Sequence, residues 1–198
     1  MWSELYICQK TGYLQLKKFA MTANILFTTE RLKIIKYALP LLDEIYKLYS
    51  DDDVVAYTTA NGKAKTKEQL VNGIAVYNKM YTNTNNAHGK WLIVNAKNNA
   101  VMGYIGLLYI EEIQQTEVSY ALMAKYRGNG FASEAAAAMI AYAFTHLQLK
   151  QVCALITPDN LPSEKVVKNI GMQYTNTNVS LWGYNFKLYA INNKNSTP

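Results

Sequence analysis

The run Arg127-Gly128-Asn129-Gly130-Phe131-Ala132 holds the residues of this chain best suited to chemistry on a ligand. Two glycines at the mouth of a helix let the backbone turn tightly and come close to a bound group. The first turn of a helix offers unpaired N–H groups and the positive end of the macrodipole. Such a junction takes phosphate oxygens, and Arg127 adds a cation beside it. The same spacing also fits an ordinary turn. Two common phosphate patterns do not match. G-x-x-x-x-G-K-[ST] is absent, and in G-x-G-x-x-G the third glycine is replaced by Ser133.

The elements around this run must position it. A strand over Glu117 to Met123 leads in, alternating Val118, Tyr120 and Leu122 against Glu117, Ser119 and Ala121. A helix opens near Gly130 and runs to about Leu147, with small residues such as Ala135, Ala136 and Ala143 that allow close packing on a sheet. Lys150 to Thr157 reads as a buried strand. Pro158 to Pro162 turns into a helix, Ser163 to Asn169, stopped by Gly171. Met172 to Leu181 and Tyr184 to Ile191 read as a hairpin through Trp182-Gly183. Upstream, Phe27 to Tyr37 is the first strand, and Pro40 opens a helix with Leu41, Leu42, Ile45 and Leu48 on one face. Asp51-Asp52-Asp53 ends that helix, as a solvated loop or as a patch that attracts an ammonium group. Asn61-Gly62 marks a turn. Thr66 and Gln69 form a capping box for the next helix, which carries Leu70, Ile74, Tyr77 and Tyr81. Lys90 to Ala96, Val101 to Ile113 and Thr116 to Met123 then form an antiparallel meander.

The 198 residues fit one domain, and 50% apolar content is enough for a sizeable core. No apolar run has the length to cross a bilayer, so no membrane partner is expected. The net charge of +6 is spread out, which suits an anionic cofactor better than specific nucleic-acid binding. Cys8 and Cys153 read as reduced thiols in a cytoplasmic setting. With only His88 and His146 no metal cluster is expected. Residues 1–21 read as an N-terminal extension outside the core, 22–192 as the domain and 193–198 as a polar tail. Met1 to Ala20 makes a poor signal peptide, having no basic segment ahead of a long apolar core.

Arg127, Gly130 and Ala132 spell R-x-x-G-x-A, which resembles the pyrophosphate motif [RQ]-x-x-G-x-[GA] of the GCN5-related N-acetyltransferases (GNAT). Asn160-Leu161-Pro162-Ser163, then Val166-Val167 and Gly171-Met172, are similar to that family's N-x-x-[AS]-x-x-[LV]…G-[FM] segment, one strand further on. Thr28-Thr29-Glu30-Arg31-Leu32 resembles the T-x-R-L opening of members that acetylate ribosomal-protein N termini. The resemblance implies an α/β (α+β) fold. Its mixed, mostly antiparallel sheet of about seven strands carries helices on both faces and splays between the fourth and fifth strands.

Carried over to this chain, it implies that the backbone of Arg127, Gly128, Asn129, Gly130, Phe131 and Ala132 holds the pyrophosphate of acetyl-coenzyme A. Main-chain groups of Leu122, Met123 and Ala124 would pair with the pantetheine arm. Asn160 would hydrogen-bond that arm with Ser163 close by, although Asn160 also reads as an Asx turn or helix cap. The reaction implied is direct attack of an amine on the thioester, with Glu117 as base, if it is not a solvent-facing glutamate paired with a lysine. Many members carry a tyrosine where Val167 stands; Ser163, Ser119, Tyr120 or water would then protonate the thiolate. The acceptor implied is a protein N-terminal amine, with a small amine such as a polyamine or aminoglycoside as the alternative. A coenzyme A-binding module without catalysis is a further reading. Exposed strand edges in the closing hairpin would permit a homodimer.

Overall fold

The computed structural model describes residues 2–58 and 63–194, with the side chains of 2–11, 57 and 58 left outside that description. The expected turn at Asn61-Gly62, the Cys8 thiol and residues 195–198 lie outside the described residues. In chain order the elements are α1 (Trp2–Ala23), β1 (Ile25–Thr28), β2 (Leu32–Lys36), α2 (Leu42–Leu48), α3 (Asp52–Thr58), α4 (Lys67–Asn83), β3 (Gly89–Asn95), β4 (Val101–Ile110) and β5 (Gln115–Leu122). They continue as α5 (Phe131–Thr145), β6 (Gln151–Ile156), α6 (Leu161–Asn169), β7 (Gln173–Leu181) and β8 (Tyr184–Asn192).

The strands form one eight-stranded sheet in the order β1-β2-β3-β4-β5-β6-β8-β7. All neighbours are antiparallel except β5 and β6, which are parallel. The count exceeds the sequence expectation by one because Phe27 to Tyr37 is not one strand. The Thr29 N–H donates to the Leu32 carbonyl at 2.9 Å, and the chain folds back there into the β1–β2 hairpin.

The helix expected to end at the acidic cluster is also two. Leu39–Leu41 is a short 3-10 turn with Pro40 near its start, α2 follows, and Asp51 to Asp53 opens α3 instead of closing α2. Carboxylates at a helix start are favoured by its dipole, and the Asp51 carboxylate accepts from the Val54 N–H at 3.3 Å. The Thr66–Gln69 capping box is present at α4, with the two N–H bonds at 3.2 and 2.9 Å. Trp182 and Gly183, both at positive φ, make the two-residue turn of the β7–β8 hairpin.

Alternation along the strands sends side chains into two cores. On one face α5 and α6 cover Trp91, Ile93, Ile105, Leu107, Val118, Leu122, Val152 and Ala154. The buried residues of α5 are Ala135, Ala136, Met139, Ile140 and Ala143, and three of these five are alanines, so the helix axis lies close to the sheet. On the other face α2 and α4 cover Leu92, Val94 and Tyr104, joined by Tyr37 and Tyr49. The end of α1 joins this second core through Ala20 and Met21, both buried. A smaller cluster on the same face gathers Ile110, Cys153, Leu155 and Leu188.

Candidate active site

β5 and β6 pair at a single register position, Glu117 with Cys153. Beyond it the two strands diverge toward their C-terminal ends. The N–H of Leu155, which a continuous ladder would give to β5, instead acts on the Glu117 carboxyl and lowers its pKa. Cavity space of about 540 Å³ begins at the end of β5 and reaches the mouth of α5 and the start of α6. Leu122, Arg127, Gly128, Gly130, Phe131, Ala132, Asn160 and Ser163 line it, as do Tyr120, Tyr126, Asp53 and Ser133. Of the residues expected at the site, Met123, Ala124, Asn129 and Glu117 are not in that lining.

The helix mouth has the form read from the sequence. Gly128 and Gly130 stand at φ 76° and 77°, where a side chain is strained, and Gly130 is the N-cap of α5. Among the described residues no side chain caps this helix, so its first N–H groups face the cavity without a side-chain acceptor. Serine, threonine, asparagine or aspartate would ordinarily fill the cap position. Glycine leaves the donors for something else.

Arg127 is not a free cation. Its Nε donates to the Leu122 carbonyl at 3.0 Å and its Nη1 to the Asp53 carboxylate at 2.9 Å. It ties the end of β5 to the first turn of α3. Asp53 therefore braces the loop instead of forming part of a solvated linker. The Met123 N–H is committed to the Met102 carbonyl at 2.9 Å and the Leu122 carbonyl to Arg127 Nε, which leaves the Leu122 N–H turned to the cleft.

A second brace comes from the β1–β2 turn. The Glu134 carboxylate, in the first turn of α5, accepts from the Thr29 hydroxyl, from the Arg31 N–H at 3.1 Å and from Arg31 Nε at 2.6 Å. Arg31 Nη1 donates to the Asn129 carbonyl at 3.0 Å, and its guanidinium lies 4.7 Å from the centre of the Phe131 ring. Burial opposes the charge on Glu134, but the bonds from Thr29 and Arg31 outweigh it and hold its pKa below the ordinary range. The Thr29 and Arg31 pair of the T-x-R-L run therefore holds the glycine loop. Nothing in its own spacing announces this, because the partner lies about a hundred residues away.

Asn160 is the N-cap of α6: its Oδ1 accepts from the Ser163 N–H at 3.1 Å. The cap uses the oxygen and leaves the side-chain NH₂ for the cavity, so the two readings of Asn160 are compatible. The Tyr120 hydroxyl donates to the Ser163 carbonyl at 3.1 Å, and burial raises its pKa while the Ser163 side chain lowers it. Val167 is buried beneath α5 and Val166 lines the cavity in its place.

Glu117 sits at the vertex where β5 and β6 part, partly buried. Burial pushes its carboxyl up to about 7, against the downward pull of the Leu155 N–H and the Lys90 ammonium. Cys153 opposite is wholly buried; burial, then the nearby Glu117 charge, drives its thiol up to about 12, so it does not ionise. No group of three or more metal-ligating side chains occurs among the described residues, and no helix there is long and apolar enough to cross a membrane.

Residues 31–173 match the model of the acetyltransferase (GNAT) domain family. An uncharacterized N-acetyltransferase, p20 of Bacillus licheniformis, is 29% identical over 151 residues, 73% of this chain and 80% of that protein. A GNAT-family acetyltransferase from Bacillus anthracis is 25% identical in sequence, with a TM-score of 0.68 over 85% of this chain and 98% of that one. RimL, the ribosomal L7/L12 alpha-N-protein acetyltransferase, solved in complex with coenzyme A, is 14% identical and shares the fold with a TM-score of 0.72 over 85% of this chain and 97% of its own. The parted strands, the uncapped glycine loop and the matched span of 143 residues agree, and the chain belongs to the GNAT family of acetyltransferases.

Proposed function

We propose that the chain moves an acetyl group from acetyl-coenzyme A to a primary amine, with a protein N-terminal α-amine as the acceptor. The observation that carries this reading is the β5–β6 gap, held open beyond one residue pair and ending at an uncapped helix mouth. The N–H groups from Gly128 to Ala132 bind the pyrophosphate, while the Arg127 N–H is taken by the Ala124 carbonyl at 3.1 Å. The Leu122 backbone and the Asn160 side-chain amide hold the pantetheine arm in the place a continuous β6 ladder would occupy. A main-chain N–H near Leu122 polarises the thioester carbonyl.

Glu117, reached directly or through water, accepts the proton that the ammonium must lose. The free amine attacks the carbonyl carbon, the C–N bond forms, the C–S bond breaks, and the thiolate takes a proton. Ser163 or Tyr120 supplies it, a reading supported by the presence of both in the cavity lining. The N-terminal acceptor is favoured over a polyamine or aminoglycoside by two features. They are the Thr29–Arg31 run and the likeness to RimL.

The test is calorimetric binding of acetyl-coenzyme A together with thiol release from a panel of peptides and small amines. Gly130→Asp, which sets a charge and a strained side chain at the helix mouth, is expected to weaken binding at least about 100-fold. Unchanged affinity in that variant would remove the proposed phosphate site. Binding without thiol release from any amine would instead identify a non-catalytic binder.

A further inference from the structure

Two lysines that make no ion pair among the described residues meet over the face of the sheet that carries Glu117: Lys90 of β3 and Lys65 of the segment before α4. Between its two apolar clusters, one around Leu92 and Tyr104 and one around Ile110 and Leu155, runs a polar strip. Lys90, Gly106 and Ser119 lie side by side across β3, β4 and β5 in that strip. Gly106 has no side chain to separate the other two. A methyl group there would stand 3.0 Å from Ser119 Oγ and 3.2 Å from Lys90 Cγ. The lysine stem therefore lies across β4 beside the serine, and Glu117 is two residues along β5 from that serine.

The two ammonium groups rest on a stacked tyrosine pair. Tyr49 and Tyr104 are 6.1 Å apart with rings 7° from parallel. Lys90 Nζ is 4.5 Å from the centre of the Tyr104 ring, and Lys65 Nζ is 5.0 Å from that of Tyr49. Among the described residues neither ammonium makes a hydrogen bond or an ion pair. Ser119 Oγ is buried and likewise has no partner there. Burial and the neighbouring Lys65 pull the Lys90 pKa down to about 8 while Glu117 opposes them, so at pH 7 the ammonium is still mostly protonated. Two crowded cations and an orphaned hydroxyl beside the base are unfavourable unless an anion completes them.

We infer that Lys65, Lys90 and Ser119 form an acceptor subsite that binds a carboxylate next to the amine being acetylated, so that the acceptor is an acidic N-terminal peptide. This rests on the transferase reading above. A carboxylate accepts from both ammonium groups and from the hydroxyl, while the adjacent ammonium of the substrate faces Glu117. A polyamine would bring further positive charge against Lys65 and Lys90, and the same pair rejects it.

The experiment compares Ser-Asp-Phe amide with the isosteric Ser-Asn-Phe amide and with spermidine. Thiol release is followed with acetyl-coenzyme A, and binding of each peptide to the coenzyme A-loaded protein is measured by calorimetry. The aspartyl peptide is expected to show a KM and a dissociation constant at least about tenfold lower than the asparaginyl one, with spermidine poorest. Lys90→Met is expected to abolish that preference while sparing acetyl-coenzyme A affinity, and Lys90→Arg to restore part of it. Ser119→Ala, a small change that leaves both cations in place, is expected to reduce the preference severalfold. Equal handling of the two peptides, or a preference that survives both Lys90→Met and Ser119→Ala, would overturn the subsite and leave the transferase standing. Thiol release from no acceptor at all would overturn the transferase and the subsite together.

Discussion

Glu117 is set apart from the other carboxylates of the chain by where it lies, at the one point where β5 and β6 still touch. Its pKa of about 7 lies well above the ordinary value of 4.5, with burial as the leading cause. A raised carboxyl pKa means that the folded protein holds a proton the unfolded chain has released. The stability this contributes is full below about pH 4.5 and is lost as pH rises through about 7. Glu117→Gln, which cannot ionise, should therefore gain on the parent protein above pH 7, by on the order of 2–3 kcal/mol, and gain little at pH 5. Thermal unfolding at the two pH values checks this; an equal shift at both would show that Glu117 ionises without cost. The kinetic sign is opposite. Turnover needs the carboxylate, so it should rise through about pH 7 in the parent protein. It should fall about 100-fold or more in Glu117→Gln with acetyl-coenzyme A affinity kept. A normal pH profile in the variant would clear Glu117 of the role.

At the scale of elements, two braces hold the glycine loop. Arg127 links β5 to α3 through Asp53, and Glu134 links α5 to the β1–β2 turn through Thr29 and Arg31. Both ion pairs are partly exposed, which limits the net stability each adds, but the Glu134 carboxylate gathers three donors from one turn. The consequence is positional. Glu134→Gln keeps the size of the side chain and removes its charge, so it should loosen the turn without unfolding the protein. We expect acetyl-coenzyme A affinity to drop about tenfold with the thermal midpoint within a few degrees of the parent, measured by calorimetry and by thermal melting. Loss of stability with affinity intact would instead make the contact a purely structural tie.

At the scale of the molecule, the sheet is shared by two cores of different character. The α5 face is closed by alanine-rich packing, whereas the opposite face is interrupted by the polar strip that holds the base. The end of α1 belongs to this second core. Lys17 pairs with Glu44, Tyr13 reaches Asp43 at 3.2 Å, and Ala20 and Met21 are buried. The reading of residues 1–21 as an extension outside the core is thereby narrowed, because Ala20 and Met21 pack into it. Removing residues 1–11 should leave melting and turnover unchanged. Removing 1–21 should cost about 2–3 kcal/mol, the scale of one buried methionine and its neighbour, with acetyl-coenzyme A affinity unaltered. Equilibrium unfolding of the two truncations decides it, and equal stability would place the whole helix outside the core.

Local pattern determined a good deal of this. The two glycines before an alanine-rich segment, the Thr66–Gln69 box, the Trp182-Gly183 turn and the alternation of β5 are all short-range signals. Helix period, strand period and turn chemistry are written within a few neighbouring residues. The same signals failed where propensity was ambiguous: Phe27 to Tyr37 looked continuous, and Asp51 to Asp53 looked like an end when it is a start. The tertiary structure alone decided which distant groups meet. Arg127 pairs with Asp53, Glu134 with Arg31, Lys90 lies beside Ser119 across a glycine, and Glu117 stands where β6 diverges from β5. Register between strands and the depth of a side chain are set by packing across the whole sheet. A raised carboxyl pKa and an unpaired ammonium are properties of that packing, and no stretch of the chain carries them by itself.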